Sequence, residues 1–96
     1  MKKLSIPAKY SSLTQVERRK IRERYCKLQN DNCYYCNSSL ESDPLAHIQQ
    51  KYINMKLFPK GFLNHPIHLH HSHKTDLTLG AVHARCNAIL WQYHNE

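Results

Sequence analysis

Two pairs of metal-binding residues, one in the first half of the chain and one near its end, constrain the fold more than any other feature. Cys33 and Cys36 are separated by two residues, and so are His83 and Cys86. Zn²⁺ prefers a tetrahedral set of thiolates and imidazoles that is supplied as two short-spaced pairs. The second spacing also places both side chains on one face of a helical turn. We therefore expect these four residues to bind one structural zinc ion.

A structural metal suits a chain of 96 residues, because a domain of this size buries a modest part of its surface and often needs a staple. We expect one domain over residues 1–96. The basic start at Met1–Leu4 leads into polar residues and a proline, so it does not resemble a secretion signal. No apolar run is long enough to cross a membrane. We therefore expect a cytoplasmic chain with reduced thiols, which favours metal binding over disulfides.

Other cysteine and histidine residues are weaker candidates for zinc ligands. Cys26 could replace one of the four, but its place in a predicted helix favours burial. His94 could also do so, but it lies in a tail that should fray. His47 and His65 have no partner at ligand spacing, and for them we expect surface or packing roles.

The chain is strongly basic, with 14 lysines and arginines, 7 acidic residues and a formal net charge of +7. Such a charge predicts an acidic partner, most often nucleic acid. Residues 1–12 have the pattern of an extended basic arm, and residues 13–30 that of a helix with a basic outer face. Ser12 and Gln15 are typical of a capping box at its start. The side chains expected to contact DNA are Arg18, Arg19, Arg22, Lys74 and Arg85.

Residues 33–94 form the predicted zinc-bound core. Its last third predicts two short strands and a helix, over residues 66–71, 80–82 and 84–93. Residues 38–65 contain prolines and a glycine that break regular structure, and only a short helix near 46–54 is expected there. The predicted fold class is therefore a small α+β domain with a basic N-terminal helix.

The first predicted strand ends in the adjacent histidines His70 and His71, and Asn87 directly follows the last candidate zinc ligand. Hydrolysis of a phosphodiester needs a base that deprotonates water and a cation that stabilises the developing charge. Adjacent histidines can divide these roles, one binding a metal and the other staying free. Asn87 would be held rigidly beside Cys86, where its amide oxygen can bind a hard cation such as Mg²⁺.

These motifs resemble the His-Me finger (ββα-metal, HNH) nucleases, and most closely the phage recombination endonuclease VII pattern DHDH-x-TG-x-VRGLLC-x2-CN. Within residues 70–87, the separation between the first matching histidine and the asparagine equals that of the pattern. The matching positions are His71, His73, Thr75, Gly80, His83, Cys86 and Asn87. Cys33 and Cys36 correspond to the family's first zinc pair. Among the departures, His70 replaces Asp, Asp76 replaces Gly and Leu79 replaces Arg. The chain is also similar to small HNH proteins of podophages.

The resemblance implies a zinc-stapled ββα-metal domain that hydrolyses DNA with one catalytic metal ion and little sequence preference. It implies that His71 is the general base, that His70 and Asn87 hold Mg²⁺ or Mn²⁺, and that His73 touches the phosphate or the metal. The departure at Asp76 implies a loop of different shape. The resemblance also suggests a homodimer, and a phage origin that would place the protein in the cytoplasm of a bacterial host.

Two other functions stay open on the residues alone. A non-catalytic zinc-knuckle protein that binds nucleic acid would explain the charge and the zinc ligands, but not the spacing of His70, His71 and Asn87. A small phage regulator of a host protein is the other alternative, because the basic residues of 18–27 could face an acidic protein surface as well as DNA.

Overall fold

The computed structural model describes residues 5–94. These residues form three α-helices, two short 3-10 helices and two strands. In chain order they are a 3-10 helix (Tyr10–Ser12), α1 (Gln15–Leu28), α2 (Ala46–Gln49), a second 3-10 helix (Met55–Leu57), β1 (Ile67–His71), β2 (Thr78–His83) and α3 (Ala84–His94). This architecture confirms the predicted α+β class. Within the same range, no helix combines the length and the apolar character needed to span a membrane.

A capping box starts α1, but not at the predicted residues. The backbone N–H of Glu17 donates to the Thr14 hydroxyl at 3.2 Å, and the Thr14 N–H donates to the Glu17 carboxylate at 2.9 Å. The capping box predicted at Ser12 and Gln15 is wrong, because the Ser12 hydroxyl instead donates to the Lys9 carbonyl at 2.8 Å. That hydrogen bond closes the short 3-10 helix, so α1 begins later than the predicted residue 13.

β1 and β2 form an antiparallel hairpin that runs from Ile67 opposite His83 to His71 opposite Thr78. Both predicted strands are confirmed, although β2 extends beyond the predicted 80–82 at both ends. The register is irregular between His70 and His71. A bulge of this kind redirects the side chains beside it, and here those side chains are the histidine pair. α3 begins at the residue directly after β2, so no loop separates them.

The side chain of Gln29, at the C-terminal end of α1, binds the outer edge of β2. Its Nε2 donates to the Ala81 carbonyl at 2.9 Å, and its Oε1 accepts from the Ala81 N–H at 2.9 Å. The backbone N–H of Tyr34 donates to the same carbonyl at 2.9 Å. These contacts satisfy backbone groups that an edge strand would leave open. They also hold the segment after α1 against the hairpin.

The core has two clusters. The larger lies around β2 and α3 and includes Val82, Ile89 and Ile48, and the smaller joins α1 to β1 through Ile21 and Leu69. Residues 38–65 pack around the larger cluster and contribute Leu40, Ile48 and Ile53 to it. The helix in this region, α2, is shorter than the predicted 46–54. This region has no simple periodicity because isolated side chains, not a helix face, fill the core.

Residues 8–12 pack on the hairpin. The Ala8 N–H donates to the Thr78 hydroxyl at 2.8 Å, and the Thr78 N–H donates to the Ala8 carbonyl at 2.9 Å. This part of the predicted arm therefore belongs to the folded domain. Residues 1–4 of the predicted arm lie outside the described residues.

Replacing Gly80 with alanine should destabilise the protein. A Cβ at Gly80 would lie 2.8 Å from Gln29 Oε1 and 2.8 Å from Tyr34 Cγ. Gly80→Ala must therefore displace side chains that hold α1 and the following segment on β2, and we expect a loss of about 1–3 kcal/mol in the free energy of unfolding. Urea unfolding would measure it, and a midpoint equal to that of the wild type would contradict the prediction.

Candidate zinc centre and active-site cleft

The four predicted zinc ligands lie together. Cys33 and Cys36 occupy the turn after α1, His83 ends β2, and Cys86 lies in the first turn of α3. Their ligand atoms are all within 4.8 Å of one another. The structure therefore brings two distant pairs into one group that could hold a metal ion, as the spacing predicts.

The geometry around His83 fits a tetrahedral zinc ion. Its Nδ1 lies 3.5 Å from Cys36 Sγ and 3.6 Å from Cys86 Sγ. Usual Zn–S and Zn–N bond lengths in a tetrahedral site place nitrogen and sulfur about 3.6 Å apart. The other ring nitrogen, Nε2, donates to the carbonyls of Ser39 and Ser42, at 2.8 and 3.0 Å. These partners favour the tautomer in which Nδ1 carries the lone pair toward the cysteines.

The sulfur of Cys33 is held as a thiolate. The backbone N–H groups of Tyr35 and Cys36 point to it, at 3.4 and 3.5 Å. A hydrogen bond from the Cys86 side chain lowers the pKa of Cys33 to about 4, and the same hydrogen bond raises the pKa of Cys86. A zinc ion would replace that shared proton and neutralise the sulfurs.

The weaker ligand candidates lie outside this group. Cys26 packs against the larger core cluster, and burial raises the pKa of its thiol. His94 faces Tyr35, with its Nε2 at 3.3 Å from the Tyr35 hydroxyl. His47 is exposed on α2. The zinc group therefore consists of the four predicted residues.

A second polar cluster joins β1 to α3. The Nδ1 atom of His70 lies 3.2 Å from Asn87 Oδ1, and Asn87 Nδ2 lies 3.1 Å from His68 Nδ1. His70 is 1% exposed and Asn87 is 8% exposed. Burial lowers the pKa of His68. Because Asn87 follows Cys86, the zinc group and this cluster share one helical turn.

The ring of His71 belongs to a chain of aromatic contacts. It stacks on Tyr10 with a centroid distance of 3.7 Å and an interplanar angle of 7°, and it lies 4.5 Å from the His73 ring. The centroid of the His73 ring lies 3.6 Å from that of the Trp91 ring. At the other end of this series of contacts, the Arg18 guanidinium covers the Tyr10 ring, 4.4 Å from its centroid. Burial and the positive charge of His73 lower the pKa of His71 to about 4.

A cleft of about 330 Å³ brings three of the four predicted catalytic residues together with the basic helix, whereas the buried His70 does not line it. His71, His73 and Asn87 line it together with Arg18 and Arg22 of α1. Nothing in the sequence singles out Tyr10 and Trp91, which line the same cleft. Their only signal is aromatic character, because nothing in local spacing links residue 10 or residue 91 to the histidine pair.

Three of the five predicted DNA contacts do not line this cleft: Arg19 borders a neighbouring cavity, and Lys74 and Arg85 lie elsewhere. Lys74 is exposed in the turn after β1, where its backbone N–H donates to the Ser72 hydroxyl at 3.2 Å. The Arg85 guanidinium donates to the carbonyls of Gln49 and Lys51, both at 3.0 Å. Arg85 thus holds the segment after α2, and neither residue lines the cleft.

Asp76 takes a backbone conformation that usually favours glycine. Its φ of 63° lies in the left-handed region, where glycine is the least strained residue and aspartate is among the few tolerated alternatives. Its carbonyl accepts from the Tyr10 N–H at 2.7 Å, and its carboxylate accepts from the backbone N–H of Ser11 at 3.1 Å and from its hydroxyl. These hydrogen bonds lower the pKa of Asp76. The carboxylate thus ties the N-terminal segment to the loop.

The chain matches no known family model, no curated protein and no solved structure. The geometry of the site is therefore the main guide to its function.

Each chain should hold one zinc ion, and Cys36→Ser should lose both the zinc and cooperative unfolding. Structural zinc contributes about 10–16 kcal/mol of apparent binding energy, which matches or exceeds the stability of a small domain. Elemental analysis and thermal melts would measure the two effects. Cys26→Ser is the matched control and should keep its zinc. A folded wild-type protein without zinc would contradict this prediction.

Tyr10 should fix the orientation of the His71 ring. Because the rings are stacked face to face, the ring current of Tyr10 should shift the His71 ring protons upfield. NMR spectra of histidine-labelled protein should lose that shift in Tyr10→Ala and keep it in Tyr10→Phe. Tyr35→Ala, which removes the ring beside His94, should leave the His71 signals in place. Unchanged His71 signals in Tyr10→Ala would contradict the stacked geometry.

Proposed function

We propose that this protein is a metal-dependent DNA endonuclease of the His-Me finger (ββα-metal, HNH) class. The observation that carries this proposal is the cleft in which His71, His73 and Asn87 meet Arg18 and Arg22. A candidate base, a candidate metal ligand and two cationic side chains thus share one surface. Phosphodiester hydrolysis needs these three kinds of group together.

The order of the elements supports this class. An antiparallel hairpin is followed directly by a helix, and the candidate zinc ligands tie this β1–β2–α3 unit to the segment after α1. His71 ends β1 and Asn87 lies near the start of α3. Those are the places at which the resemblance to HNH nucleases puts the base and a metal ligand.

His70 and Asn87 would hold the catalytic cation. Their Nδ1 and Oδ1 atoms are 3.2 Å apart, and imidazole and amide oxygen suit Mn²⁺ and Mg²⁺ when water and phosphate complete the ligand set. Bound there, the cation would act as a Lewis acid for the charge on the phosphate and the leaving oxygen. His68, 3.1 Å from the Asn87 amide, would orient that side chain.

His71 would accept the proton of the attacking water. Its pKa of about 4, lowered first by burial, keeps the ring neutral near pH 7, and a neutral imidazole can take a proton. A phosphate in the cleft would raise that pKa by its negative charge. The Tyr10 stack would hold the ring in place, and Arg18, Arg22 and His73 would face the phosphate oxygens.

The proposed substrate is DNA, cut with little sequence preference. The cationic side chains at the cleft contact phosphates in this proposal, and phosphate contacts carry no direct sequence information. The resemblance to HNH nucleases implies products with 5′-phosphate and 3′-hydroxyl ends.

The second candidate is a zinc-stapled protein that binds nucleic acid without cutting it. The hydrogen bonds of Asn87 to His68 and His70 favour it, because such a network also accounts for buried polar side chains in a purely structural role. This candidate predicts nucleic-acid binding without metal-dependent hydrolysis.

His71→Ala should abolish most cleavage while zinc content, fold and DNA affinity stay close to wild type. His71 is outside the zinc group, and loss of a general base typically lowers the rate about 10²–10⁴-fold. Nicking of supercoiled plasmid in Mg²⁺ or Mn²⁺ would measure the rate. His47→Ala, which changes an exposed histidine on α2, is the matched control and should cut normally.

His70→Ala and Asn87→Ala should differ from His71→Ala in their metal dependence. Both should weaken binding of the catalytic cation, so a higher Mg²⁺ or Mn²⁺ concentration should restore part of their activity. The same increase should not restore the activity of His71→Ala. A His71→Ala protein that nicks plasmid at the wild-type rate would disprove the role of His71. A wild-type protein that shows no metal-dependent cleavage of any DNA, double-stranded or single-stranded, would leave the second candidate.

A further inference from the structure

The cleft continues along α1 into a second cavity. The first cavity, of about 330 Å³, and the second, of about 280 Å³, have Gln15, Arg22 and His65 in common. Together they form one groove, which we call the α1 groove. Each cavity alone lies near the lower end of the volumes of small-molecule sites, about 300–1,000 Å³.

One wall of the α1 groove is cationic. Arg18 and Arg22 lie one helical turn apart and line the first cavity, and Arg19 and Arg22 line the second. Within residues 5–94, none of these three arginines forms an ion pair with a carboxylate. Uncompensated guanidinium groups along a groove favour a ligand with several negative charges at regular spacing.

The other end of the α1 groove is aromatic. Phe62 and Trp91 line the first cavity together with His73. Trp91 is 40% exposed; it borders this cavity, where His73 contacts its ring, and also a neighbouring cavity beside Leu57 and Phe58. A cationic wall with an aromatic end is the combination that binds single-stranded nucleic acid, because the arginines take phosphates and the ring stacks on a base.

We propose that the α1 groove binds an unpaired polynucleotide strand, with phosphates against Arg19 and Arg22 and a base against Trp91. This inference rests on the proposed function and names the form of its substrate. The base edges of a duplex are reached only by protein elements that project into its grooves. A concave groove lined by an exposed aromatic ring instead receives a strand whose bases are free to leave the stack.

The single tryptophan of the chain permits a direct test with the wild-type protein. The zinc-loaded protein, without added Mg²⁺ or Mn²⁺, is titrated with a thymidine oligonucleotide and, separately, with a duplex of the same length. Stacking of a base on Trp91 should quench its fluorescence. We expect quenching and tighter binding with the single strand, and little quenching with the duplex.

Two sets of variants locate the strand by fluorescence anisotropy of a labelled oligonucleotide. Trp91→Ala should weaken single-strand binding by about tenfold, Trp91→Phe should restore most of it, and Tyr52→Ala should have no effect, because Tyr52 is 70% exposed and outside the groove. Arg19→Ala with Arg22→Ala should weaken binding far more than Lys20→Ala with Lys27→Ala. Both double variants remove two charges, but only the arginines line the groove.

The outcomes separate this inference from the proposed function. Equal affinity for strand and duplex without quenching would overturn the inference, even if the protein cuts plasmid in Mg²⁺. Equal effects of the two double variants would also overturn it, because they would show attraction by net charge alone. Single-strand binding that depends on Trp91, without any cleavage, would support the inference and overturn the endonuclease proposal. Zinc content and thermal melts check that each variant is folded.

Discussion

The junction at Cys33, Cys36, His83 and Cys86 determines how the parts of this small protein fit together. It ties the turn after α1 to the place where β2 becomes α3, so three elements meet at one group of side chains. Asn87 follows the last of these ligands, and its amide lies 3.2 Å from His70 on β1. The same constraint that closes the fold therefore sets the distance between the helix and the histidine strand. A metal ion bound at this junction would give that distance a rigidity that a core of this size lacks.

A second set of contacts completes the cleft from outside the recognisable motifs. Residues 8–12 pair with the start of β2, and Tyr10 covers the His71 ring. Asp76, in a left-handed conformation that usually favours glycine, holds this segment through its carboxylate and its carbonyl. The aspartate thus both tolerates the backbone geometry and supplies hydrogen bonds to the N-terminal segment.

The arginines of α1 show that a helical sequence pattern does not by itself predict which surface each side chain lines. Sequence analysis predicts a helix with a basic face, but the helix start depends on whether Ser12 or Thr14 caps it. The Ser12 hydroxyl donates to the Lys9 carbonyl, so Thr14 caps the helix instead. Arg18 and Arg22 then line the cleft, whereas Arg85, predicted for the same role, donates to two carbonyls after α2. Arginines that look equivalent in the sequence therefore have different roles in the structure.

The amino-acid sequence by itself determined the four candidate zinc ligands, the α+β class, and the order of strand, loop, strand and helix. These features depend on spacings of a few residues, and short spacings translate directly into shared faces of a turn or a strand. Tertiary structure alone decided that Tyr10 stacks on His71, that Trp91 lies beside His73, and that Arg18 and Arg22 line the same cleft. Those contacts join residues far apart in the chain. Packing of the two core clusters selects them, and no local pattern records which distant side chains that packing brings together.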